Sequence, residues 1–483
     1  MDFLDPKKQR AHSLRMTTGY VILALAMLLA TTILVYQARG YGIDKNGRII
    51  QNGLVFFSSQ PGGAAIRVNG VQKGQTNTRL VLPAGAYTIQ LERQGYRTWQ
   101  RAITVDGSVV ERFDYPFLVP TTLTTTLTKQ YTAQPGFVAQ SPNRQWLLLQ
   151  SGAAADQFDV FDLTVAKPVA RPLVVPSDGF TAGSTTTGWQ LVHWADDNRH
   201  VLLKRLFDKQ GQAGSEYILL DRQDPSQTQN LTTLLGFNPA TILLKDGAYD
   251  QYYVYDQNAG QVFTATLKKP SPVPLLQDVQ AFAADGTTLL YVTADGAAPG
   301  KVLIRLRQND RTYTLREGPA GTQLLALANY SGTRYVAAGA QDDSKVYVYR
   351  DPAGTLDSNQ VLVPVQILKT TTPTALTFSD SARFVMAENA TQFSVYDAET
   401  NKGYAFTAKD PLDAPQANAS WMDGFHLTYV SGGKTEIFDF DGTNVQALAA
   451  AVPAFAPFFT PNYHTLYTVN AVGALTSTSL IVQ

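Results

Sequence analysis

Cysteine is absent from the 483-residue chain. That removes thiol nucleophiles, disulfide staples and thiolate metal sites together. Charge is scarce too: 16% of residues are Asp, Glu, Lys or Arg, against roughly a quarter in an average soluble protein. The 39 basic residues balance the 39 acidic ones, so the basic surplus of a nucleic-acid-binding surface is missing. Of the five histidines, none stands in the His-Glu-x-x-His arrangement of a zinc peptidase, and no Gly-x-Ser-x-Gly nucleophile elbow occurs. The sequence therefore names no catalytic residue, no cofactor and no metal, and the chain is expected to be no enzyme.

What is present is apolar and β-prone: 44% hydrophobic residues, with Thr, Val and Tyr abundant. One run departs from this. Residues 16–38 carry no charge and are bounded by Arg15 and Arg39. As a helix rising about 1.5 Å per residue, they cover a hydrocarbon core of about 30 Å. Tyr20 and Tyr36 stand where amphipathic rings favour the headgroup region. Lys7, Lys8, Arg10 and Arg15 precede the run, while Arg39, Lys45 and Arg48 follow it, a small bias that favours the N-terminus inside. A cleaved signal peptide is the rival reading, but its apolar region is shorter, and a cut after Ala38 puts Tyr36 where a small residue belongs. The expectation is an uncleaved anchor with a cytoplasmic tail at 1–15 and a spacer at 39–53.

From Leu54 the pattern changes to short alternating strands. Asn69-Gly70 is a strong hairpin signal, and Asp106-Gly107 reads as another. Tyr87, Ile89 and Leu91 fall on one face of a strand. Six or so strands in under 70 residues predict a β-sandwich over 54–119. Ser59-x-Pro61-x-x-Ala64, Val68-Asn69-Gly70, Gly74, Leu80-x-Leu82-x-x-Gly85-x-Tyr87 and Gly95-Tyr96 resemble the PEGA domain family. The namesake tetrad departs from it, Pro61-Gly62-Gly63-Ala64 having Gly in place of Glu. The resemblance implies an accessory surface module without catalysis. Tyr96 and Trp99 read more simply as core residues capping the sandwich, with stacking on a ligand's sugar rings as the alternative.

A Thr-rich connector spans 120–134. Beyond it, a turn residue recurs three to six positions before an apolar strand, at Asn143, Asp197, Asp246, Asp285, Ser331, Asp380, Asp423 and Asn462. The steps of 39 to 54 residues match the length of a propeller blade. Several copies add a strand that closes on Asp: Asp162, Asp221, Asp397 and Asp439. A seven- or eight-bladed β-propeller over 135–483 is expected, similar in spacing to TolB-like and WD-type propellers, with Leu123–Tyr131 available to complete the last blade. His193 and His200 flank Asp196 and Asp197 without a ligand spacing. Ser431–Thr435 lacks the first glycine of a phosphate loop, and the 439–444 segment lacks the terminal Glu of a calcium loop.

The fold class expected is all-β with one N-terminal transmembrane helix. The function expected is a membrane-anchored, extracytoplasmic binding or scaffolding module of the cell envelope, with an envelope protein or polysaccharide as partner and no nucleic acid. A propeller hydrolase of cell-wall glycan or peptide and a TolB-like assembly partner are the alternatives.

Overall fold

A proline that can open a helix, followed by a long run of Leu, Ala, Ile and Met, gives the helix α1, Pro6–Ala38. It starts ten residues before the uncharged run, so the residues read as a tail are in part helical. Every side chain from His12 to Gln37 is exposed, and this stretch is long and apolar enough to cross a membrane. Its polar side chains serve themselves. Thr17, Thr18, Thr31 and Thr32 donate their hydroxyls to carbonyls four residues back at 2.8–2.9 Å, which removes the cost of placing them in lipid. The structure, a computed structural model, describes residues 6–38, 40–43, 47–151, 155–413 and 418–482.

The chain packs as two units, 1–122 with Val482, and 123–481. In the first, eight strands follow the helix: β1 (Tyr41–Ile43), β2 (Ile49–Phe57), β3 (Ala65–Val68), β4 (Val71–Gln75), β5 (Thr78–Pro83), β6 (Gly85–Glu92), β7 (Trp99–Val105) and β8 (Val110–Phe113). They form two sheets. In one, β2 pairs with β1, β5 and, in parallel, β8; the other has the order β4-β3-β6-β7. Val55, Phe57, Ile66, Ile89, Leu91, Trp99 and Ile103 are buried in this unit. Asn69-Gly70 makes the expected hairpin, with both residues at positive φ and Val68 opposite Val71. Asp106-Gly107 does not. The chain crosses there from one sheet to the other, because β7 pairs with β6 while β8 adds to β2. A Cβ on Gly107 would stand 2.4 Å from the Gln51 side chain, so the glycine serves close approach and not a hairpin.

The second unit contains, among the described residues, eight four-stranded antiparallel sheets. Sheets 1 to 7 cover 138–174, 185–230, 241–276, 279–319, 323–369, 375–407 and 420–450. Sheet 8 takes three strands from 458–479 and its fourth from β9, Thr124–Gln130. The connector thus supplies the closing strand: β9 pairs with the strand Ala474–Ser479, setting Thr126 against Ser477 and Thr124 against Ser479.

The repeated apolar strands follow from this stacking. In Trp146-Leu147-Leu148-Leu149, Leu148 packs with Trp189, Val201 and Leu203 of sheet 2. Leu147 and Leu149 pack with Tyr467, Val469 and Leu475 of sheet 8. In sheet 2, Leu202 turns to Ile242 and Tyr252 of sheet 3. In sheet 3, Tyr253 and Tyr255 meet Leu289 and Tyr291 of sheet 4. Leu290 and Val292 meet Val336 of sheet 5, and Ala337 meets Val385 of sheet 6. Phe384 of sheet 6 stacks on Phe440 of sheet 7 at 4.3 Å, and the Val452 amide beyond sheet 7 bonds the Val469 carbonyl of sheet 8. A strand buried on both faces reads as a continuous apolar run. Each sheet packs on the next and the eighth on the first, which is the ring of a β-propeller.

Candidate functional site

The eight recurring turn residues all lie between the first and second strands of their sheets, at one end of the ring. Asn143, Asp197, Asp423 and Asn462 each accept a backbone amide two residues on, at Gln145, Arg199, Phe425 and His464, which is why Asp and Asn recur there. The turns bond to one another around the ring. The Asn143 amide donates to Asn198 at 3.0 Å, and the Asp196 amide to the Gly247 carbonyl at 3.0 Å. Arg334 of sheet 5 pairs with Asp285 of sheet 4. One ion pair joins sheets that are not neighbours: the Arg144 guanidinium of sheet 1 reaches Asp380 of sheet 6 while lying 4.7 Å from the Tyr463 ring of sheet 8. Burial raises the Asp380 carboxyl above its ordinary value, Arg144 opposes this, and Asp423 adds to it. Groups from sheets 1, 6, 7 and 8 thus converge here.

The acidic strand ends of the repeat are structural locks. Asp221 takes the Arg199 guanidinium at 2.8 Å and the Gln223 amide at 2.9 Å. Asp397 takes Arg383 at 2.7 and 2.9 Å and the Thr400 hydroxyl at 2.9 Å. Asp439 accepts Asn444 at 2.8 Å and faces His426 Nε2 at 3.5 Å, while Asp423 holds His426 Nδ1 at 2.8 Å. These carboxylates tie the first turn of a sheet to the end of its third strand.

His426 is buried. Desolvation lowers its pKa, but Asp423 and Asp439 outweigh this and raise it above 6.5. Asp423 is disfavoured as a charge by burial, yet His426 and two backbone amides hold it below its ordinary 3.8. The stabilisation from His426 is therefore complete below pH 6.5 and is lost as pH rises through the raised value. That from Asp423 is present above 3.8 and lost as pH falls through the lowered value. His426→Gln is expected to cost about 1–3 kcal/mol at pH 6. It also flattens the decline of the melting temperature above pH 6.5, measured by differential scanning fluorimetry across pH 5–9.

The remaining sequence candidates find structural places. His200 stacks on Tyr249 at 3.9 Å and bonds Asp197 at 2.6 Å. Burial lowers the His193 pKa. Among the described residues, no group of three His, Asp or Glu side chains is placed to hold a metal. Gly432-Gly433 is a two-residue turn between paired Ser431 and Lys434, and its amides are taken by the Asp413 carboxylate at 2.6 and 2.8 Å. In the 439–444 turn, Thr443 bonds Asp441 at 2.7 Å. Trp99 is fully buried, edge-on to Tyr115 at 6.0 Å. Tyr96 is 9% exposed, with Arg93 5.4 Å from its ring and a backbone bridge to Pro120. Stacking on a sugar needs a free ring face, and neither has one. Both belong to the core, against the alternative of ligand-stacking rings.

The motif of the sandwich is a knot around one hydroxyl. Thr76 Oγ1 accepts the Ala64 amide at 2.9 Å and lies 2.8 Å from Ser59 Oγ, which also donates to the Pro61 carbonyl at 2.7 Å. Asn69 Oδ1 accepts the Thr88 amide, and the Tyr87 hydroxyl donates to the Pro83 carbonyl. Residues 52–117 match the PEGA domain family. In this PEGA domain a Cβ on Gly62 would meet the Asn77 side chain at 2.8 Å, and Gly63 has a φ of +77°. No curated protein matches the chain. Solved structures that match include Kluyveromyces lactis Hsv2, at 10% identity and a TM-score of 0.40, covering 65% of this chain and 97% of that one. The β-propeller domain of Myceliophteria thermophila Cps50 (Swd1) matches at 13% identity and a TM-score of 0.38, covering 67% and 100%. The dihydro-heme d1 dehydrogenase NirN matches at 14% and 0.40, covering 66% of each chain.

Proposed function

We propose that the chain is a membrane-anchored binding module that carries its PEGA domain and propeller on the extracytoplasmic side. The observation that carries this is α1. Its side chains from His12 to Gln37 are exposed along the whole length, and its threonine hydroxyls are folded back on its own carbonyls. A helix that is apolar all round has no solvent face, so lipid is the medium that suits it. The Lys and Arg residues before it favour retention of that end inside. The ring supports a binding role: its turns are rigidly cross-bonded at one end, and the carboxylates that close its strands are bound to Arg, His and Asn side chains.

Protease added to intact cells tests the orientation. The propeller is expected to be digested while an N-terminal epitope before Pro6 survives. Protection of the propeller in intact cells, with digestion only after lysis, overturns the reading.

A further inference from the structure

One cleft lies wholly within the propeller unit, at the seam where sheet 8 meets sheet 1, with a volume of about 500 Å³. The face of sheet 8 that meets sheet 1 changes character along its strands. At one end Val469 and Leu475 pack into the core with Leu147, Leu149 and Phe161. At the other end the same face carries Thr465, Ser479 and Thr124 in one cross-strand row. The next row holds Tyr467, Ser477 and Thr126, with the Tyr467 ring buried at its inner end. There the sheets part, and these hydroxyls line the opening. Neighbouring strands lie about 4.8 Å apart, and same-face residues of one strand about 7 Å apart, so the hydroxyls form a grid.

The opposite wall is mostly apolar, made by Leu163, Thr164, Val165 and Ala166 in the turn after the third strand of sheet 1, with the Thr164 hydroxyl donating to Asp162 at 2.6 Å. Asn462 and His464 also line it, and among the described residues no Asp, Glu, Lys or Arg does. Closure of the ring accounts for a strand at β9 but not for this surface. Thr suits a strand, whereas Ser477 and Ser479 bring no strand preference and leave apolar area unburied. Thr126 and Ser477 bond each other at 2.9 Å, and each hydroxyl keeps capacity for another partner.

We propose that this cleft binds a neutral polyhydroxylated ligand, a short segment of an uncharged glycan. The inference rests on the binding-module reading and gives it a ligand class. A sugar ring offers hydroxyls at its edge and C–H groups on its faces, which match the hydroxyl grid and the apolar wall respectively. With no Lys or Arg in the lining, phosphorylated, sulfated and uronic acid ligands are disfavoured, because no permanent cation in the wall neutralises them. A peptide is the poorer fit. Added to the free edge of β9 it would use backbone groups, and the side-chain hydroxyls on the sheet face would stay idle.

The test is isothermal titration of the full-length chain in detergent micelles with maltotetraose, with the tetramer of N-acetylglucosamine, and with an uncharged Ser/Thr-free peptide. At least one tetrasaccharide is expected to bind with an affinity indifferent to sodium chloride, and to raise the melting temperature. Thr126→Val with Ser477→Val lowers that affinity at least about tenfold, while Thr126→Ser retains it. Ala166→Trp fills the cleft from the other wall and abolishes binding without touching sheet 8, which covers the case of a double variant that does not fold. The proposal is overturned if neither tetrasaccharide binds, if binding survives Ala166→Trp, or if the peptide alone binds. A propeller that faces outward yet ignores both sugars removes this site and leaves the anchoring intact; one that faces inward and binds them does the reverse.

Discussion

Glu216→Ala is expected to lower the stability of the propeller by about 3–5 kcal/mol, read as a fall in the urea midpoint. Arg205 and Glu216 face each other on paired strands of sheet 2, and each is 1% exposed. Glu216 accepts Arg205 Nη1 at 2.5 Å, Asn230 Nδ2 at 2.8 Å and the Thr181 hydroxyl at 2.8 Å. Arg205 in turn donates to Thr186 at 2.6 Å and Ser184 at 3.0 Å, and its guanidinium lies 4.1 Å from the Phe180 ring. Removing the carboxylate strands a cation out of water, and that penalty dominates the loss. Arg205→Met with Glu216→Leu removes both charges and is expected to recover most of it. Trp189 packs against Phe180 at 6.0 Å and supplies a local fluorescence signal. Equal losses in the single and double variants would show that the pair acts by packing alone.

The second large effect goes the other way. Because the chain has no cysteine, Thr126→Cys with Ser477→Cys creates one thiol pair, at positions directly opposed in the closing register. The two hydroxyls lie 2.9 Å apart and the positions are 351 residues apart in sequence. Oxidation is expected to link them and to add up to about 5 kcal/mol, chiefly by restricting the unfolded chain. Thr125→Cys with Ser477→Cys places the thiols on opposite faces and is expected to stay reduced. Thiol titration and non-reducing electrophoresis read both. Linkage in the control and not in the first pair would mean that β9 is shifted by one residue.

What the sequence reveals of this fold is local. Asn69-Gly70 specifies its hairpin because two consecutive residues at positive φ suit few other pairs. The turn residues from Asn143 to Asn462 mark the sheets because each sheet needs the same tight turn before an apolar strand. Asp106-Gly107 misleads, since the same residue types that make hairpins also permit the close approach of backbone to the Gln51 side chain at a sheet crossing. Trp99 reads as core from its place in a small sandwich, although nothing in its neighbours tells a core indole from a ligand platform. The least legible features join distant positions. Arg144 and Asp380 are 236 residues apart. Arg205 reads as one more charge in an alternating strand until the register sets Glu216 opposite. The seam cleft combines residues near 125, 165 and 477, and its Thr-rich part reads first as a linker.

The strand that closes the ring is made early and its partner late. During synthesis β9 leaves the ribosome more than three hundred residues before the strand it pairs with. Sheets 1 to 7 can stack in order as they emerge, but sheet 8 waits for Ala474–Ser479. A product truncated before Ala474 leaves β9 unpaired and one side of sheet 1 exposed, which is what quality-control proteases and chaperones recognise. The topology thus makes closure of the ring depend on synthesis of Ala474–Ser479.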